Sequence, residues 1–241
     1  MKILLTNDDG IGAPGLLLLT SWAKTNGHDV TVVAPKTNQS GKSGAITLGQ
    51  PLAVEQVDDN RWVVDGTPAD CVRVAATFLS MRPQLVISGV NHGWNLGEDI
   101  YASGTVGAAR LASLRGIPAL ALSGPPVDWD NVQTLMNRHT HRLVSMALNA
   151  PRGTIISVNF PSKGGDRLAW CGLSGPRYQD QVSWAQLKGQ THWVRLDFSE
   201  SALASHDVDT DAVLIREGVT TASYIPLQDH NSASPDLIEN V

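Results

Sequence analysis

The sequence predicts an α/β fold: a doubly wound, mostly parallel sheet followed by a β-rich C-terminal portion. Three observations carry that prediction. Short β-branched-rich runs alternate with amphipathic helical stretches through roughly the first 160 residues. Polar, glycine-bearing loops follow three of those runs, at "TNDDGIG", "PKTNQSGKSG" and "SGVNHGWNLGEDIYASGTVGAA", where open α/β sheets bind their ligands. After "ISVNFP" the alternation gives way to Trp-rich, polar, strand-like sequence.

Lys2 to Thr6 is an apolar run of strand length, and Pro14 to Thr25 is a helical stretch with proline in its first turn and Gly27 beyond its end. "HDVTVVAP" is a second strand ending at Pro35. Strand, helix and strand within about thirty-five residues make a βαβ unit, hence a parallel sheet with a right-handed crossover. "AITL", "LAVEQV" and "RWVVDG" read as short strands or a hairpin, and Pro68 to Ser80 as a helix capped by Thr67. "QLVISGVN" is a buried strand, Gly104 to Leu114 a helix, "IPALALS" a strand, Asp130 to Leu148 an amphipathic helix and "GTIISVNFP" another strand. The alternation is Rossmann-like. It divides the chain into residues 1–160, an α/β core carrying the site, and residues 161–241, a C-terminal extension. In the extension, Arg167 to Phe198 is strand-like, Asp207 to Glu217 helical and "VTTASYIPL" a strand, while "QDHNSASPDLIENV" reads as a frayed terminus.

Composition narrows the function. Across 241 residues, 42% are hydrophobic and 17% charged, enough apolar material for a sizeable core. A net charge of −5 and a pI near 5.7 argue against a protein devoted to duplex nucleic acid or an anionic membrane. No apolar run approaches the ~18 residues of a membrane span. The two cysteines, Cys71 and Cys171, have no CxxC spacing, which fits a reducing cytoplasm and a chain without a disulfide framework.

The chemistry concentrates in the three loops. Asp8 and Asp9 end the first strand, and Gly10 and Gly12 permit a turn that brings Asp9 back beside Asp8. Two carboxylates there suit Mg²⁺ or Mn²⁺; the plainer reading has one acid cap the helix while the other faces solvent. The second loop offers Asn38, Ser40 and Ser43 as neutral oxygens, or as ordinary turn residues. In the third, Asn91 is a candidate metal ligand and Asn95 can orient water or phosphate. Ser103, Gly104 and Thr105 open a helix, where free amides and hydroxyls form an anion site or a simple N-cap. His92 can protonate a leaving group or hydrogen-bond its own loop. His139 and His141 read as surface residues of a helix, Cys71 as a small buried residue, and Asp207, Asp209 and Asp211 as helix-start acids too distant in sequence to assign to the site.

Taken together, "ILLTNDDGIGAPG", "VVAPKTNQSG", "VDGTPADCV", "LVISGVNHGWNLGEDIYASGTVGAA", "IPALALS" and "ISVNFP" resemble the SurE survival-protein family, with a weaker match at "TDAVLIREGVTTASYIPL". The resemblance implies a metal-dependent nucleotidase acting on nucleoside 5′- and 3′-monophosphates, and a cage of carboxylate and neutral oxygens suits direct attack of water on the phosphomonoester. The resemblance also implies one divalent ion, Mg or Mn, per subunit, held by Asp8, Asp9, Ser40 and Asn91. Asn95 and the Ser103-Gly104-Thr105 turn would hold phosphate; apart from the resemblance, the chemistry of the pair makes Asp8 or Asp9 the expected acceptor of the attacking water's proton. The resemblance further implies arm exchange by the C-terminal portion within a homodimer or homotetramer. The chain departs from the family in Ala102 of "IYASGT", in "SGPRYQDQ" where a basic "GRR" segment is usual, and in "SYIPL" for "SITPL".

Two rivals stand beside this expectation. One is a covalent aspartyl-phosphate on Asp8, although the haloacid-dehalogenase pattern puts its second acid two residues on, where this chain has Gly10. The other is a nucleotide-binding regulatory oligomer without turnover, although no GxGxxG is present and no acid ends the second strand.

Overall fold

A computed structural model describes residues 1–125, 129–175, 178–200 and 208–227, with only the backbone described at 178, 179 and 198–200. The first half runs β1 (Lys2–Thr6), α1 (Pro14–Thr25), β2 (Asp29–Pro35), β3 (Val54–Asp58), β4 (Arg61–Val64), α2 (Pro68–Thr77), β5 (Leu85–His92), α3 (Asp99–Ala102) and α4 (Gly104–Leu114). There follow β6 (Ala119–Gly124), α5 (Trp129–Leu148), β7 (Thr154–Asn159), β8 (Leu168–Trp170), β9 (Tyr178–Lys188), β10 (Thr191–Glu200), α6 (Asp211–Arg216) and β11 (Thr220–Pro226).

The main sheet has nine strands in the order β3-β4-β2-β1-β5-β6-β7-β11-β8. Pairing is parallel from β4 through β7, and antiparallel at β3–β4 and β7–β11. β1 is apolar on both faces, as a central parallel strand must be. On one face, Leu16 and Leu19 of α1 and Leu135, Met136 and Leu143 of α5 pack on Ile3, Leu5 and Val32. On the other, Cys71 and Val72 of α2 and Val106 and Ala109 of α4 pack on Leu4, Val33 and Val86. Helices on both faces make the sheet doubly wound. Chain order runs outward from β1 in both directions, to β2 and to β5, so the crevice at the carboxyl ends of β1 and β5 is the topological switch point.

Several expected elements change. "AITL" is not a strand: Thr47 gives its amide and hydroxyl to the Asp70 carboxylate, and its carbonyl accepts from Arg73. α2 stops at Thr77, before the left-handed Ser80. α6 begins only at Asp211, after a left-handed Asp209. His139 is not a surface residue; it is 7% exposed, and its Nε2 lies 2.7 Å from the Gly165 carbonyl. The sheet also continues past residue 160, because β11 pairs with β7 and β8 with β11. What stands apart is the antiparallel β9–β10 hairpin. Arg177 and the tail from Gln228 onward lie outside the described residues.

Candidate active site

The first strand ends at Thr6, where its apolar run ends, so both acids lie in the turn beyond it. Asn7 closes the turn, its Nδ2 donating to the Gly10 carbonyl at 2.9 Å while its Oδ1 accepts the Gly10 amide at 3.3 Å. Asp8 is then driven inward, to 2% exposure, against the start of α4. There the Thr105 hydroxyl donates to its Oδ1 at 2.5 Å, and the Gly104 and Thr105 amides reach the same carboxylate. Glycine is required at 104, since a Cβ there would stand 2.8 Å from the Asp8 Cβ. Burial raises the Asp8 pKa, and the Thr105 hydroxyl and these amides only partly offset it.

Asp9 takes a different partner: its Oδ2 accepts the His92 amide at 3.0 Å. Burial raises its pKa too, the His92 amide opposes this, and the neighbouring charge of Asp8 adds to it. No Lys or Arg forms an ion pair with either acid among the described residues.

Asn91 owes its position to a bulge. β5 and β6 are in register up to Ser88↔Ala121, then resume one residue out at Asn91↔Ser123. Gly89, at φ +131, makes the bulge possible; its Cβ would lie 2.2 Å from the Leu122 carbonyl oxygen. The Asn91 Nδ2 donates to the Gly93 carbonyl at 2.8 Å, so its Oδ1 is the atom left for a cation. Asn95 gives one amide hydrogen to Ser123 Oγ at 2.8 Å.

The second loop is tied to both of the others. The Gln39 amide donates to the Asp8 carbonyl at 2.6 Å, and Ser43 donates its hydroxyl to the Tyr101 carbonyl and its amide to that of Ala102. Ser40 sits exposed at the rim, its amide on Asn38 Oδ1.

A cavity of about 610 Å³, within the range of small-molecule sites, is lined by Asp8, Ser40, Asn91, Asn95, Ser103 and Asp180, among others. Asp9 opens instead into an adjoining cavity of about 290 Å³ with Asn38, His92 and Trp129. His92 borders both, and its ring stacks on Trp129. Of the expected phosphate turn, Ser103 lines the larger cavity and caps α4, accepting the Val106 amide. Gly104 and Thr105 are buried behind Asp8 and serve that carboxylate.

Residues that sequence reasoning passed over also belong to the site. Asp99 and Asp180 line its wall, and Ser123 and Asn159 hold Asn95. Asn159 could have been found as the polar residue at the carboxyl end of an apolar strand; Asp180, on the hairpin, carried no such signal. Among the described residues no three His, Cys, Asp or Glu side chains cluster as a metal site. Of the oxygens expected to hold a cation, Asp8, Ser40 and Asn91 line the larger cavity, while Asp9 faces the adjoining one. A buried, uncompensated carboxylate among hard oxygens fits a divalent cation of the Mg²⁺ or Mn²⁺ type.

Over residues 3–180 the sequence matches the family described as survival protein SurE. It is 36% identical over 248 residues to a 5′-nucleotidase SurE of Synechococcus sp., covering 95% of this chain and 88% of that protein. With 5′-nucleotidase SurE 1 of Burkholderia lata it shares 37% identity over 240 residues, 94% of this chain and 90% of the other. The fold matches the crystal structure of the SurE protein from Aquifex aeolicus with a TM-score of 0.79 at 30% identity, over 96% of this chain and 95% of that one.

Proposed function

The chain belongs to the survival protein SurE family, and on that premise we propose that it is a nucleotidase whose cavity at the β1–β5 crevice hydrolyses nucleoside 5′-monophosphates, and 3′-monophosphates, to nucleoside and phosphate. The observation that carries this assignment is Asp8: a carboxylate 2% exposed, with no Lys or Arg partner among the described residues, in the wall of a cavity large enough for a mononucleotide. Asp8, Asp9, Ser40 and Asn91 would hold one divalent ion per subunit. Such an ion supplies positive charge to the phosphoryl group and acidifies water.

The remaining chemistry falls to the chain's own groups. Thr105 and the α4 amides orient Asp8 and favour its charged form against the opposing effect of burial, and the His92 amide does the same for Asp9. The second amide hydrogen of Asn95 and the hydroxyl proton of Ser103, whose oxygen already accepts from Val106, meet the phosphoryl oxygens. Asp8 or Asp9 accepts the proton of the attacking water, the bond from phosphorus to the ribose oxygen breaks, and His92 returns a proton to that oxygen. Attack by Asp8 itself is disfavoured, because the second acid that such chemistry places two residues on is replaced here by Gly10.

The chain would act in the cytoplasm as a homodimer or homotetramer. The hairpin supports that assembly, since Val182, Trp184, Leu187, Trp193, Val194 and Leu196 are all exposed on it. No helix among the described residues is long and apolar enough to cross a membrane.

Phosphate release from a panel of nucleoside monophosphates tests the assignment. Activity with Mn²⁺ or Mg²⁺ should disappear with chelator and return on adding metal. Asp9→Asn should lower kcat/KM by at least about 100-fold, the upper end of the cost of disturbing a metal's outer shell. A folded protein with no metal-dependent release would overturn it.

A further inference from the structure

The loop from β5 to α3 is held on its far side by two side chains that arrive from distant parts of the chain. Asn159, the last residue of β7 and 2% exposed, meets the main chain of Asn95 twice. Its Oδ1 accepts the Asn95 amide at 2.9 Å and its Nδ2 donates to the Asn95 carbonyl at 3.1 Å. One side chain thus makes the paired bonds that a neighbouring strand would make. Two residues on, Asp211, fully buried at the start of α6, accepts the Gly97 amide on Oδ2 at 2.8 Å. Its Oδ1 takes the Ser174 amide at 2.8 Å and the Ala212 amide at 2.7 Å. Gly97 fits so closely that a Cβ would lie 2.6 Å from the Ser174 carbonyl oxygen.

Between the two clamps Leu96 is buried against Ala212 and Ile215, and Ser123 at the end of β6 takes the Asn95 side chain. Any other path for residues 95–97 would strand buried donors and acceptors, each costly to leave unpaired. Asn159 spends both its polar atoms on Asn95 alone.

We propose that Asn159 and Asp211 are positioning residues for substrate binding: they fix the Asn95–Gly97 backbone so that the free amide hydrogen of Asn95 meets the phosphoryl group. Neither touches the cavity. The inference rests on the nucleotidase assignment above.

Asn159→Asp keeps the size and one acceptor but turns the donor facing the Asn95 carbonyl into an oxygen. Asp211→Asn keeps the size and presents an amide hydrogen to one of the amides it now accepts. In each folded variant KM for a nucleoside 5′-monophosphate should rise about tenfold or more, while Mn²⁺ affinity, measured by titration of the protein without substrate, stays within about twofold of wild type. The double variant Asn95→Ala/Asn159→Asp should be no worse than Asn95→Ala alone, because both act through one group.

Additive losses in that double variant, an unchanged KM, or a parallel fall of Mn²⁺ affinity and kcat would overturn the proposal. Should Asn159→Asp not fold, Asp211→Asn decides, and loss of the fold in both would make their role structural and overturn it. A wild-type protein inactive on every nucleotide would sink the nucleotidase assignment instead, and Mn²⁺ titration separates the two failures.

Discussion

Asp8 holds its place against its own solvation. Because burial raises its pKa above 3.8, the ionised form is the one the fold disfavours. The stability it contributes is complete below 3.8 and is lost as pH rises through the higher folded value. Asp8→Asn should therefore abolish turnover yet raise the melting temperature of the metal-stripped protein at pH 7 by a few degrees, about what 1 kcal/mol yields in a domain this size; a lower melting temperature would contradict this account. Asp70 behaves in the opposite sense. Burial alone would raise its pKa, but Thr47 and Thr67 donate to it from amide and hydroxyl and bring it below 3.8. Its contribution is present above 3.8 and is lost as pH falls through the lower folded value. Asp70→Asn should cost about 2 kcal/mol at neutral pH, and denaturant titrations should find that difference shrinking below about pH 4. Asp8 and Asp9 drew attention in the sequence because two adjacent like charges need a reason to coexist; that the turn buries Asp8 and gives Asp9 the His92 amide was not legible there. That Thr105 would serve Asp8 was not either, since a helix-start threonine reads equally as a cap or an anion donor.

At the scale of elements, the register of α4 against the second loop sets the rim of the cavity. Gly107 lies where a Cβ would stand 2.1 Å from the Ser43 carbonyl oxygen. Gly107→Ala should push the Ser40 loop outward, with KM rising several-fold and most of the activity recovered when Mn²⁺ is raised; initial-rate assays at two metal concentrations check this. The boundaries of β1, α1 and α4 could be read from proline, glycine and apolar spacing, which are local signals. "AITL" misled because its β-branched residues suggest a strand while its polar bonds go to Asp70 and Arg73. The short α3 gave no periodic signal at four residues.

The molecule as a whole places three loops on one crevice through the reversal of strand order at β1, and that much followed from the alternation of elements. The C-terminal half did not, because antiparallel insertion of β11 beside β7 depends on long-range pairing that no local pattern encodes. Since a cation would bind only the folded arrangement, Mn²⁺ at about 100 times its Kd should add about 2.7 kcal/mol of stability. Calorimetry should show that shift in wild type and lose it in Asp9→Asn.

The side-chain clamp from Asp211 has a consequence for synthesis. The chain lays down Asp8, Ser40, Asn91 and Asn95 early, yet the bond that anchors Gly97 is 114 residues further on. Until α6 and β11 have left the ribosome, β7 is an open sheet edge of the kind that invites wrong pairing, and the loop carrying Asn95 lacks half its restraint. A nascent chain thus holds every proposed ligand before it holds a finished pocket. The clamp on the site's loop therefore waits on α6, near the end of the chain.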